Sequence, residues 1–171
     1  GGHFGPHDGT SAQERAVDNL VGPGKPGKVI CIAAGNEGAD NIHASGTLRV
    51  GSTDTVRLSV PDRKAFAIVD LWYSGTDSFD VAVVTPTNLA TSVVHPGGSF
   101  DGAAPDGTRV QIQSSTTNAL NNSREILIFL SQTNSGQAIL SGTWSIQLQQ
   151  TSGTSGRFDA WALGRSSFAD H

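Results

Sequence analysis

Two patterns of apolar and polar positions divide this chain. Ala12, Ala16, Val17, Leu20 and Val21 recur at helical spacing. Ser11 stands before them and Glu14 three residues later, the spacing of a capping box, so a helix is predicted to open at Ser11. Gly22-Pro23-Gly24 ends it. Val29 to Ala34 is an unbroken apolar run, the pattern of a parallel strand buried on both faces. From Thr47 onward the period falls to two. Strands are predicted over 55–60, 65–73, 79–85, 90–94, 108–113, 125–130, 138–149 and 157–163. Val56/Leu58/Val60, Val81/Val83, Val110/Ile112 and Trp144/Ile146/Leu148 each mark one face. Gly75, Asn88, Gly97-Gly98, Asn121-Asn122 and Gly153 punctuate them. The expectation is a mainly β chain. Residues 47–171 would form a jelly-roll or Greek-key β-sandwich, and residues 1–46 a helix–strand piece of an α/β unit.

Composition narrows the class. The 171 residues suffice for one domain, or one domain plus a fragment, and need no metal or disulfide staple. Charged residues make up 15%, well below the usual share of about 25%, while Gly numbers 21. Low charge with abundant Gly, Ser, Thr, Asn and Gln suits a secreted or cell-surface β protein. A net charge of −4 without any Lys/Arg cluster argues against nucleic acid as a partner. No apolar run is long enough to span a membrane, and no signal peptide is visible. Cys31 is the single cysteine, so no intrachain disulfide can form; within its apolar run it reads as an inert buried thiol.

Candidate chemistry concentrates in Ile30 to Gly38, I-C-I-A-A-G-N-E-G, an apolar strand running into a small-residue turn that ends in a carboxamide. This stretch, with Gly1-Gly2 and the helix before it, resembles the oxyanion-hole segment of the subtilisin-like serine proteases. Val69 to Gly75, Trp144 and Gly156 to Trp161 add a weaker resemblance to those bacterial members that carry a jelly-roll inserted between the oxyanion Asn and the catalytic Ser. The resemblance implies that Asn36 is the oxyanion-hole donor. It implies that Ala33, Ala34 and Gly35 form one wall of the primary specificity pocket and Gly1-Gly2 the opposite wall. Glu37 would sit near the pocket floor. Small side chains leave room for a substrate residue, and an amide donates to a developing oxyanion without carrying charge.

The family's Asp, His and Ser motifs are absent from the sequence. Gly9-Thr10-Ser11 and Gly153-Thr154-Ser155 do not continue as the nucleophile motif does; Ser11 reads as a helix cap and Ser155 as part of a hairpin. The isolated chain is therefore expected to be inactive, a piece of a secreted endopeptidase acting on polypeptide substrates. The alternative is a non-enzymatic β-sandwich that binds carbohydrate or protein; Trp72, Tyr73, Trp144 and Trp161 could then stack on sugars, although such residues more often fill a sandwich core with their polar atoms bonded at its edge. No cofactor is expected. Asp77, Asp80, Asp101 and Asp106 are the carboxylates that could hold calcium, though no loop has ligand-dense spacing. His3, His7, His43 and His95 are too scattered for a metal site. Asp70, inside an apolar strand, needs a partner if buried, and Arg157 is a candidate. With no sheet around the 29–34 strand, residues 1–46 are expected to be disordered, to re-dock on the sandwich, or to pair with another copy of the chain through that strand.

Overall fold

The computed structural model describes residues 3–134 and 136–169. Helix α1 spans Ala12–Leu20. Ten strands follow: β1 His43–Thr47, β2 Thr53–Val60, β3 Phe66–Ser74, β4 Ser78–Val84, β5 Ser99–Ala103, β6 Thr108–Ser114, β7 Ser123–Gln132, β8 Gly142–Ser152, β9 Arg157–Leu163 and β10 Ser167–Phe168. They form two antiparallel sheets, one ordered β1-β9-β3-β7-β6-β5 and the other β10-β2-β8-β4. Apart from the β5-β6-β7 meander, the chain from β1 to β10 crosses between the sheets at every connection. The mainly β sandwich expected from the alternating pattern is the fold observed.

The core lies between the sheets. Every inner-face residue that the alternation marked is buried there: Val56, Leu58, Val60, Val81, Val83, Val110, Ile112, Trp144, Ile146 and Leu148. Trp144 satisfies its indole N–H on the carbonyl of Leu140 at 3.0 Å, so its whole ring can be buried without stranding a donor. Tyr73 stacks on Phe79 in the same core, with centroids 4.5 Å apart. Gly46 is required where β1 meets β9, since a Cβ there would stand 2.6 Å from the Phe158 ring. Strand β1 thus straddles residue 46 and pairs along β9 from His43↔Trp161 to Thr47↔Arg157.

The first part of the chain meets the expectation only in its helix. That helix forms with both halves of its capping box: Ser11 Oγ accepts from the Glu14 N–H, and the Glu14 carboxylate accepts from the Ser11 N–H. The 29–34 run, however, is not a strand. Residues 22–41 are all exposed, with Val29 at 86% and Ile32 at 70%. Cys31 is exposed as well, not buried. A two-face-buried parallel strand depends on neighbours to hydrogen-bond and cover it, and among the described residues there are none. Because α1 buries no residue, Ser11→Ala is expected to act locally. It should cost the helix about 1 kcal/mol, reducing far-UV helicity while leaving the melting temperature of the tryptophan-reported sandwich unchanged.

Candidate functional site

Gly35 adopts φ +91°, the left-handed conformation that glycine tolerates, and turns the chain immediately before Asn36. The Asn36 N–H donates to Glu37 Oε2 at 2.9 Å. That bond is the main reason the Glu37 carboxylate is held below its ordinary pKa, with His3 adding to it. The imidazole of His3 lies 3.7 Å from Glu37 Oε2, so the start of the described chain sits beside the Asn36 turn although 34 positions separate the pair. Ala33, Ala34, Gly35, Asn36 and Glu37 are all exposed. Gly1 and Gly2 lie outside the described residues.

From this turn a chain of contacts runs onto the outer face of the six-stranded sheet. Residues 67, 69, 71 and 73 of β3 face the core, which points Asp70 and Trp72 outward. Asp70 is nevertheless fully buried. The N-terminal segment covers it: the Gly5 N–H donates to Asp70 Oδ2 at 2.8 Å. His7 stacks on Trp161 with centroids 4.2 Å apart, and Asn121 Nδ2 donates to Asp8 Oδ2 at 3.4 Å. Trp161, opposite Asp70 in register, also meets the His43 ring at 5.0 Å. His43 in turn lies 3.1 Å from Asp159.

Arg157 does not reach Asp70. It engages its own strand neighbour Asp159 through Nε at 3.1 Å and Nη2 at 3.2 Å, because both side chains project from the same face of β9. Glu125, Trp72 and His7 are the side chains that bear on Asp70, Glu125 first among them. Glu125 pairs with Trp72 across β3 and β7 and so lies diagonal to Asp70 on the outer face. Burial raises the pKa of Asp70, against the pull of the Gly5 N–H; burial and the Asp70 charge together push Glu125 up to about 7. Among the described residues no donor of good geometry reaches Asp70 Oδ1, and no acceptor of good geometry takes the Trp72 indole N–H. The sequence marks Asp70 as a charge in an apolar strand, but neither Gly5 nor Glu125 carries any local signal of its role.

The other candidates resolve separately. Asp77 is fully buried and accepts backbone N–H groups from Thr154, Ser155 and Gly156. The Gly153-Thr154-Ser155 triplet is thereby a carboxylate-binding loop, and Ser155 Oγ accepts from the Arg157 N–H at 3.4 Å. Asp80 pairs with His95 at 2.8 Å, Asp101 with Arg109, and Asp106 with Thr108. Among the described residues no three His, Cys, Asp or Glu side chains group as metal ligands, and no helix is long and apolar enough to cross a membrane. Tyr73 and Trp144 belong to the core. Trp72 and Trp161 stay on the outer face, where two imidazoles flank Trp161 instead of leaving a flat stacking platform. Two shallow clefts of about 130 and 150 Å³, one beside Leu89 and Phe100 and the other beside Asp80 and Gln147, are lined by no Ser, Cys, Lys or His.

No family model matches this sequence, and no curated protein matches it. Solved structures do. One is the CspB protease of Clostridium perfringens, which superposes with a TM-score of 0.81 at 23% identity over 97% of this chain. The chain spans 35% of that protease's length, so the likeness establishes that nearly all of it folds as one part of a larger protease does.

Proposed function

We propose that this chain is the oxyanion-hole segment and accessory sandwich of a subtilisin-like serine endopeptidase. Residues 1–46 belong to the catalytic α/β domain in this reading and residues 47–171 are an insertion into it. Asn36 donates its carboxamide to the tetrahedral oxyanion formed when a serine attacks a peptide carbonyl. Ala33, Ala34 and Gly35 supply one wall of the pocket for the substrate side chain, Gly1-Gly2 the facing wall, and Glu37 a carboxylate favouring a basic or polar residue. The observation that carries the proposal is the coincidence of two independent likenesses. The motif Ala33-Ala34-Gly35-Asn36-Glu37-Gly38 resembles the oxyanion segment, and the fold is like part of a protease over 97% of the chain. The approach of His3 to Glu37 supports it, since facing walls require the two segments to be neighbours.

Among the described residues neither Ser11 nor Ser155 is hydrogen-bonded to a base, which a catalytic serine needs. The isolated chain is expected to be inert to fluorogenic peptides and to a serine-directed fluorophosphonate. The protein extended by the coding sequence on either side should react with both. Labelling of Ser11 or Ser155 in the isolated chain, or an extended protein that turns over no peptide, would refute the assignment.

A further inference from the structure

A carboxylate on the outer face of an antiparallel sheet ordinarily meets water, yet residues 3–8 lie over Asp70 and leave it fully buried. One oxygen has the Gly5 N–H; the other has no donor of good geometry among the described residues. A buried carboxylate oxygen without a donor is costly. Two adjacent groups can supply one: the Trp72 indole N–H, which no acceptor of good geometry takes, and the carboxyl of Glu125, which donates only when it carries a proton.

We infer that Asp70 and Glu125 share a proton that latches residues 3–8 onto the six-stranded sheet, making the pair positioning residues for the segment that leads to the Asn36 turn. The latch itself needs only the contacts above. Its consequence for substrate rests on the proposed function, in which Gly1-Gly2 is a pocket wall: Gly5 is three residues from Gly2, and anchoring it limits where that wall can go.

The pair gives the latch a direction in pH. Glu125 is raised from its ordinary 4.5 to about 7, by burial first and then by the Asp70 charge. A carboxyl whose docked pKa is raised contributes docking stability that is complete below the undocked value and lost as pH climbs through the docked one. Docking therefore weakens between about pH 4.5 and 7 and levels off above. With both groups ionised, two carboxylates repel under a cover that excludes water. The other charged or titratable groups around this patch are His7 and Asp8 from the covering segment (which also carries His3 against Glu37), Asp159 from β9 and His43 from β1, with Arg157 engaged by Asp159.

Backbone amide exchange at Gly5 in the labelled 171-residue chain, corrected for the intrinsic pH dependence of exchange, tests this. In the wild type, protection should be present at about pH 5 and fall about tenfold by about pH 7.5, less than the full shift allows because Glu125 is partly exposed. Glu125→Gln, whose amide donates at every pH, should keep protection flat over that range. His7→Gln and His3→Gln should leave the wild-type slope in place, which separates the latch from imidazole protonation. Gly5→Ala strains a residue held at φ +112° and should free the segment while the sandwich stays folded. Carbon-detected titration should then show the Glu125 carboxyl falling back toward 4.5. An unprotected Gly5 amide at the acidic end, a Glu125→Gln protein with the wild-type slope, or a Glu125 titration unmoved by Gly5→Ala would each overturn the latch. In the extended, active enzyme, KM for peptide should follow the same slope and lose it in Glu125→Gln. An inactive extended protein with an intact amide slope would refute the protease assignment and leave the latch standing.

Discussion

Asp77→Ala is expected to destabilise the sandwich by about 4 kcal/mol, a fall in melting temperature of about 8–16 °C for a chain of this size. The reason is the number of groups stranded at once. Asp77 Oδ1 accepts from Thr154 N at 2.8 Å and Ser155 N at 3.1 Å, and Oδ2 accepts from Gly156 N at 2.8 Å. Removing the carboxylate leaves three backbone donors without their partner in a site where Asp77 itself is fully buried. Each such donor costs about 1–3 kcal/mol, and water entering the vacated space recovers part of it. The loop is shaped around the carboxylate. A Cβ at Gly153 would stand 2.0 Å from Asp77 Oδ1, and one at Gly156 2.0 Å from the Leu48 carbonyl oxygen. Asp77→Asn should cost roughly half as much, because one carboxamide oxygen can still accept while the NH₂ opposes a backbone N–H. Urea denaturation of the three proteins checks the order; a loss under about 1 kcal/mol for Asp77→Ala would show that the loop finds other acceptors. The connection also bears on the candidate site, since it ties the β3–β4 turn to the loop entering β9, the strand that carries Asp159 and Trp161.

Asn36→Ala in the extended enzyme is expected to lower kcat about 10²–10³-fold with little change in KM, a magnitude taken from subtilisin itself. An oxyanion-hole amide meets the substrate weakly as a ground-state carbonyl and strongly as charge develops on that oxygen, so its loss appears in turnover and not in binding. The local geometry is compatible with that role. Position 36 is exposed, Gly35 supplies the turn, and the Asn36 backbone N–H is engaged by Glu37. Asn36→Asp should lose at least as much, since a carboxylate repels the oxyanion. A loss below about tenfold, or one expressed in KM instead of kcat, would remove Asn36 from the proposed role.

Legibility follows the locality of each signal. Val56/Leu58/Val60 and Trp144/Ile146/Leu148 announce their faces because burial alternates along a strand. Strands β1 (H-A-S-G-T) and β5 (S-F-D-G-A) do not, because an edge strand of small residues needs only one or two apolar contacts. The 90–94 segment, which reads as a strand, forms only isolated bridges, Val84↔Ala90 and Val81↔Val94. Pro86 and Pro96 bracket it, Val93 turns outward, and it is too short and irregular to extend the ladder of β4. The 29–34 run fails as a strand for a different reason. Its apolar content says that it requires cover, but a strand exists only where a neighbour supplies hydrogen bonds.

The two alternating faces, the capped start of the helix and the Gly35-Asn36 turn are legible along the chain, because each depends on residues within a few positions of one another. What holds the buried carboxylates is set by the packing of distant segments. Asp70 finds Gly5 across 65 positions, and Asp77 finds Thr154, Ser155 and Gly156 across 77 to 79. A carboxyl group announces that it must be solvated or paired; which backbone amides do so is settled by the loops that the packed sheets bring against it.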